Sequence, residues 1–204
     1  VNLRLNVADI NSFWHNDKIN NPTENGNYYL WVYALDYHGN EQLIRSNAFI
    51  IDKIKPEVEK VEYSPESLTN KDVVATIFFN ESVNITNNGW SPKKDTNKKV
   101  WQKTYLSDAD ETVNYVDLAG NPGDSIEIGI NYIDKIKPNV IDVNYSSQKS
   151  TNEDVIVTIT FDKKVEITAS GWTKVNTEGT VWSNTYTSNK NENVQYKDMA
   201  GNVN

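Results

Sequence analysis

The sequence predicts an all-β protein assembled from tandem modules of about 80 residues. Three observations carry that prediction. The segment Asp52-Lys53-Ile54-Lys55-Pro56 returns 82 positions later as Asp134-Lys135-Ile136-Lys137-Pro138, and most of the chain repeats with it. Apolar residues mostly alternate with polar ones, and the alternating positions are rich in Val, Ile, Thr, Tyr and Trp, the pattern of half-buried strands. No stretch of 11 or more residues sustains a helical period.

The repeat extends beyond its tag. Val58, Val61, Tyr63 and Ser64 recur as Val140, Val143, Tyr145 and Ser146, and Thr69-Asn70 and Asp72-Val73 as Thr151-Asn152 and Asp154-Val155. Phe79, Val83, Ile85, Gly89 and Trp90 recur as Phe161, Val165, Ile167, Gly171 and Trp172. From Val100-Trp101 the offset drops to 81, so one residue is lost between Trp172 and Val181, which marks a loop. Thr104-Tyr105, Val113, Tyr115, Asp117 and Ala119-Gly120-Asn121 then recur as Thr185-Tyr186, Val194, Tyr196, Asp198 and Ala200-Gly201-Asn202. A weaker copy opens the chain, with Val32, Asp36, Gly39 and Asn40 standing 81 before Val113, Asp117, Gly120 and Asn121. The expected modules are 1–51, partial or divergent; 52–133; and 134–204, lacking a last strand. Because boundaries fall inside modules, the chain reads as a stretch of a longer array.

Within the middle module the strands are expected in this order. Val58 to Tyr63 is first, Val73 to Phe79 second and Ser82 to Ile85 third. Trp90 begins a fourth and Val100 to Tyr105 makes a fifth. Val113-x-Tyr115 is sixth and Ile126-x-Ile128-x-Ile130-x-Tyr132 seventh. Seven short strands with turn signals between them predict a Greek-key β-sandwich of immunoglobulin type. In Asp117-Leu118-Ala119-Gly120-Asn121, a type I turn followed by a glycine at positive φ makes a three-residue hairpin loop, with the Asp carboxylate accepting backbone N–H groups. The turn is expected between the last two strands of each module.

Composition narrows the function. A net charge of −8 and a pI near 4.8 argue against a nucleic-acid binder, which needs a basic face. No run of 18 apolar residues is present, so no membrane-spanning helix is expected. Zero cysteines exclude disulfides and thiolate metal sites. The heavy use of Asn, Lys and Ile suggests an AT-rich bacterial genome.

Asp-x-x-x-Pro at the start of a module, Thr-Asn-x-Asp-Val before its second strand, Gly-Trp in its middle and Asp-x-Ala-Gly-Asn near its end resemble the bacterial Ig-like repeats. The resemblance covers residues 52–204 well and 26–51 weakly. It implies a surface or secreted protein, especially of a Gram-positive bacterium, in which such modules serve as stalks, spacers or binding units. The first module departs from it, with Tyr37-His38 inside its turn. The leading expectation is a structural spacer in a monomeric array, and not an enzyme. The alternatives are an adhesin or carbohydrate-binding module, meeting a host matrix protein or glycan, and an accessory region of a glycan-degrading enzyme.

Some tandem Ig-like arrays bind Ca²⁺ at their junctions. By that resemblance Asp52 and Asp134 are candidate ligands, joined by Asp36 or Asp117 if the turn faces the junction, since Ca²⁺ takes six to eight oxygens. The simpler reading has Asp52 and Asp134 capping the linker turn and pairing with a lysine. Trp90/Trp172 and Trp101/Trp182 repeat in register and read as core. Trp14 has no repeat partner. With Phe13, His15 and Tyr28-Tyr29 it is the candidate ligand-binding residue. His15 and His38 stand in no metal-binding spacing. The repeated lysines Lys53/Lys135 and Lys55/Lys137 lie in linkers, away from the mid-strand apolar site that a Lys–Asn isopeptide needs.

Overall fold

In the computed structural model, residues 2–9, 25–35 and 38–204 are described, with side chains for 25–32 and 38–204. They form an all-β structure of antiparallel sheets, with no helix among the described residues. Trp14, His15 and Asp36 lie outside the described residues.

The chain divides into two compact units, and the boundary cuts through the middle module. The first holds residues 1–60, 77–101 and 112–126; the second holds 61–76, 102–111 and 127–204.

The first unit opens with a sheet of β1 (Asn2–Asp9), β2 (Gly26–Leu35), β3 (Glu41–Arg45) and β4 (Phe49–Ile51), in which β2 pairs with the other three. The middle module contributes β5 (Val58–Ser64), β6 (Val73–Phe79), β7 (Val83–Ile85), β8 (Ser91–Pro92), β9 (Val100–Tyr105), β10 (Ala109–Val113), β11 (Tyr115–Asp117) and β12 (Ile126–Ile130). They form one sheet in the order β5-β6-β9-β8 and two pairs, β7 with β11 and β10 with β12. The expected sixth strand is therefore two strands, divided at Asn114, that pair with different partners.

The second unit contains the last module: β13 (Val140–Tyr145), β14 (Val155–Phe161), β15 (Val165–Ile167), β16 (Thr173–Lys174), β17 (Val181–Tyr186) and β18 (Tyr196–Asp198). Its sheet order β13-β14-β17-β16, with β15 paired to β18, repeats β5-β6-β9-β8 and β7 with β11. Registers follow the sequence repeat: Asp117 faces Val83, and Asp198 faces Val165.

The alternating apolar residues make the core. Val73, Ala75, Ile77 and Phe79 of β6 are buried, as are Val83, Trp90, Trp101 and Val113. In the last module Val157, Ile159, Phe161, Val165, Ile167, Trp172 and Trp182 form one cluster. The paired tryptophans are thus core residues. Trp101 Nε1 donates to Lys98 O at 3.0 Å and Trp182 Nε1 to Gly179 O at 3.2 Å. Phe79 packs on Tyr115, and Phe161 on Tyr196, with ring centroids 4.7 Å apart in both modules.

The five-residue turn recurs in one register. It is closed by Leu35↔Glu41 in the first module, Val116↔Pro122 in the middle and Lys197↔Val203 in the last. Gly39, Gly120 and Gly201 take φ of 86°, 97° and 94°, the left-handed conformation the turn requires. After Glu41 the hairpin continues for five residues as β3. At the matching position Val116↔Pro122 is a single bridge, flanked by hydrogen bonds from Asp117 N–H to Asn121 O and from Gly123 N–H to Tyr115 O, and the following strand β12 pairs with β10 instead.

Candidate functional site: the linker clasp

The Asp-x-Ala-Gly-Asn turn grips the linker that leads into its own module. Asp117 Oδ1 accepts the backbone N–H of Asn121 at 2.8 Å, and Oδ2 accepts Asn121 Nδ2 at 2.7 Å. The same Nδ2 donates to the carbonyl of Asp52 at 3.0 Å. In the last module Asp198 and Asn202 repeat this, and Asn202 Nδ2 reaches Asp134 O at 2.8 Å. Burial pushes the Asp117 carboxyl up, but hydrogen bonds from Asn121 and from the N–H groups of Gly120 and Ala119 outweigh it and hold the pKa below the ordinary aspartate value. Asp198 is likewise depressed: burial raises it, while Asn202, the Lys163 charge and the Ala200 N–H lower it.

The rest of the linker is fixed by the same module. Asp52 Oδ1 accepts Ile54 N–H, and Asp134 Oδ1 accepts Ile136 N–H, so each aspartate caps its linker turn. Pro56 and Pro138 are buried. Beyond them, Glu57 N–H donates to Asn80 Oδ1 and Asn139 N–H to Asp162 Oδ1, both at 2.9 Å. Inside the second unit the preceding module holds the linker too. Thr69 N–H donates to Tyr132 O, Asp134 N–H to Thr69 O, and Asn70 N–H to Ala200 O, while Lys135 pairs with Asp72. The repeated Thr-Asn-x-Asp motif is therefore half of the junction.

The two clasps carry opposite charges at one place. Beside Asp52 and Asp117 stands Glu81, and ligand atoms of the three carboxylates lie within 4.8 Å of one another. Two like charges at that separation repel by roughly 3 kcal/mol at an effective dielectric of about 20, and by less where water reaches. Burial raises the Glu81 pKa, and the charges of Asp52 and Asp117 raise it further, against the pull of Lys99. The matching residue in the last module is Lys163. Its Nζ lies 2.8 Å from Asp134 Oδ2 and 3.5 Å from Asp198 Oδ2, and donates to Ile136 O at 2.8 Å.

The calcium ion implied by the resemblance fits these places unequally. Asp52, Glu81 and Asp117 offer an all-oxygen donor set, as a hard divalent cation needs. Asp134 and Asp198 already hold an ammonium, so the last module satisfies the simpler reading, an aspartate paired with a lysine. Sequence comparison singled out Asp52, Asp117 and Asp134 but missed Glu81 and Lys163. The readable signal was a charge reversal between copies whose neighbours, Phe79 and Phe161, match.

The aromatic residues of the first module meet protein partners. Tyr28 stacks on Phe49 with ring centroids 5.8 Å apart. The Arg45 guanidinium lies 4.6 Å from the Tyr29 ring centre and 5.6 Å from that of Trp31. No family model, curated protein or solved structure matches the chain.

Proposed function

We propose that the chain is a structural spacer: immunoglobulin-like modules of a bacterial surface or secreted protein, joined by short clasped linkers that hold a binding or catalytic part at a distance. The observation carrying this reading is the clasp itself. In both complete junction sequences the module grips its own linker through an Asn side chain, a buried Pro and a capping Asp. The repeated Asp and Asn of each turn are used to hold the linker, which suits a spacer. The test is replacement of this region, within its parent protein, by an unrelated rigid spacer of similar length. Retained presentation supports the reading; loss of adhesion or of substrate targeting would show that these modules bind something themselves.

The charge reversal between Glu81 and Lys163 favours a second reading, in which the junction at Asp52 is stiffened by a divalent cation of the Ca²⁺ type. Asp52, Glu81 and Asp117 would hold the ion, with water completing its shell. The ion would supply at this junction the positive charge that Lys163 supplies at the next. Calorimetric titration with Ca²⁺ tests it, and an absence of heat and of any melting shift at millimolar Ca²⁺ would remove it.

A further inference from the structure

The hairpin loop between β8 and β9 carries four lysines in seven residues, Lys93-Lys94-Asp95-Thr96-Asn97-Lys98-Lys99. That is a local charge of +3 in a chain whose net charge is −8. Every residue of the loop but Thr96 is exposed. The last module builds the same hairpin without the lysines. Lys93 N–H donates to Val100 O, as Val175 N–H donates to Val181 O, both at 2.8 Å. Lys98 O accepts Val83 N–H and the Trp101 indole, as Gly179 O accepts Val165 N–H and the Trp182 indole. On this match Val175, Asn176, Gly179 and Thr180 stand where the middle module has Lys93, Lys94, Lys98 and Lys99. The hairpin therefore folds without positive charge. Protection of an edge strand does not account for the lysines either, because Pro92 already blunts β8 as Lys174 blunts β16.

The lysines also come at a conformational cost. Asp95, Asn97 and Lys98 have φ of 60°, 49° and 57°. Asp and Asn tolerate that left-handed region better than a lysine does, and the last module places Gly179 there at φ of 72°. The loop is fixed in shape. Thr96 Oγ1 donates to Lys93 O and Ser82 Oγ to Asn97 O, both at 2.6 Å, and Lys99 N–H donates to Thr96 O at 2.9 Å. Lys98 Nζ donates to Asn84 Oδ1 and Lys99 Nζ to Asn80 O, neutral acceptors that leave both charges in place. The ammonium groups of Lys93 and Lys94 meet no partner among the described residues. A strained, rigid, exposed loop whose charges the fold does not use is where a ligand is to be sought.

We propose that this loop binds an anionic polysaccharide, a chain bearing sulfate or carboxylate groups. Lys93, Lys94 and Lys98 are its cationic contacts, and Lys99, whose charge also acts on Glu81, is a lesser one. Lysine ammonium groups are compact point charges on flexible stems, suited to anions repeated along a chain, whereas base edges call for the fork of an arginine. Single-stranded nucleic acid calls for aromatic rings on which bases stack, and residues 91–99 include none. An anionic bilayer calls for an apolar anchor beside the charges, and the loop has none. Charges are screened over about 8 Å at physiological salt, so the acidic surface farther off opposes approach more than contact. The contact adds to the spacer reading and does not rest on it: a spacer with such a loop holds to a charged matrix part-way along its length.

The test titrates the whole 204-residue chain with dextran sulfate, beside neutral dextran of the same length, and reads calorimetric heat and amide chemical shifts. Hyaluronate, a carboxylate chain, run in parallel shows which anion is preferred. Saturable binding to dextran sulfate is expected, with shifts centred on 93–99 and none with neutral dextran. Affinity should fall at least about tenfold between about 50 mM and about 200 mM salt. Lys93→Gln together with Lys94→Gln should weaken binding at least about fivefold at an unchanged melting temperature, since neither side chain supports the fold. Lys98→Gly should weaken binding while melting no lower than wild type, which separates lost charge from lost structure. An absence of salt-sensitive binding would overturn the proposal, as would binding that the paired glutamine variant leaves unchanged. Tighter binding to a short single-stranded DNA or to phosphatidylglycerol vesicles than to dextran sulfate would also overturn it, by identifying nucleic acid or lipid as the occupant.

Discussion

Lys163 occupies in the last module the place that Glu81 occupies in the middle one. Its ammonium bridges Asp134 and Asp198 where Glu81 adds a third negative charge to Asp52 and Asp117. One repeat neutralises its clasp with its own side chain, and the other does not. Exchanging the two residues should exchange the behaviour. Glu81→Lys should raise the melting temperature in chelator and abolish any response to Ca²⁺. Lys163→Glu should lower the melting temperature and create a response. For a site of Kd about 0.1 mM, 1 mM Ca²⁺ would stabilise by about 1.4 kcal/mol, a rise of several degrees in Tm. Scanning calorimetry in chelator and in Ca²⁺ reads both variants. Identical scans for wild type and Glu81→Lys would show that the cluster carries no such role.

Asn121, half-buried, and Asn202, buried, should both matter for stability. Each satisfies a buried aspartate and staples a linker carbonyl. Truncation leaves the carboxylate of Asp117 or Asp198 short of a donor in a buried site. Hydrogen bonds to charged groups contribute about 1.5–3 kcal/mol, so Asn121→Ala or Asn202→Ala is expected to cost about 2–3 kcal/mol in urea unfolding. Asn202→Ala should also speed amide exchange at Lys135 and Ile136. A cost under about 0.5 kcal/mol would mean that water replaces the amide freely.

Much of this fold is legible from the repeat. Alternation locates β5, β6 and β9 within a residue of their ends, because their buried side chains are mostly Val, Ile, Phe, Trp or Tyr. Gly120 at positive φ followed from turn chemistry alone. The division at Asn114 was not legible, because Val113 and Tyr115 are both buried and read as one alternating strand. The site was half legible. Asp52 and Asp117 stand out because both copies keep them, while Glu81 and Lys163 stay hidden for the opposite reason: the two copies place opposite charges there. The reach of Asn121 to a carbonyl 69 residues away has no local sequence signal.

Gly120 and Gly123 should fail for different reasons. Gly120 has φ of 97° and open space where a Cβ would sit, so Gly120→Ala meets only the left-handed backbone penalty, about 1–2 kcal/mol. A Cβ on Gly123 would lie 2.1 Å from Tyr115 Cε2 and 2.3 Å from Cζ. Tyr115 is buried against Phe79, so it cannot step aside without disturbing the core. Gly123→Ala is therefore expected to cost about 1–3 kcal/mol through overpacking. The two are separated by near-ultraviolet circular dichroism, which should change for Gly123→Ala and stay unchanged for Gly120→Ala.

The clasps also set how stability depends on pH. Asp117 and Asp198 titrate below their ordinary value of 3.8 when folded. Their contribution is full above that value and is lost as pH falls through the folded pKa, because the unfolded chain then binds more protons. Glu81 has the opposite sign. Its folded pKa lies above 4.5, so just above pH 4.5 the folded state keeps a proton that the unfolded chain has released. Stability therefore falls as pH rises through that window. Lys163, raised above 10.5, contributes fully at every pH below 10.5 and loses its contribution only as pH rises through its folded pKa. Urea unfolding of wild type and Glu81→Gln between pH 3 and 7, in chelator, should show wild type losing stability relative to the variant as pH rises past 4.5. Parallel curves would mean that solvent screens Glu81 from both aspartates. The unbalanced charge would then be absent, and with it the electrostatic reason for a cation at Asp52.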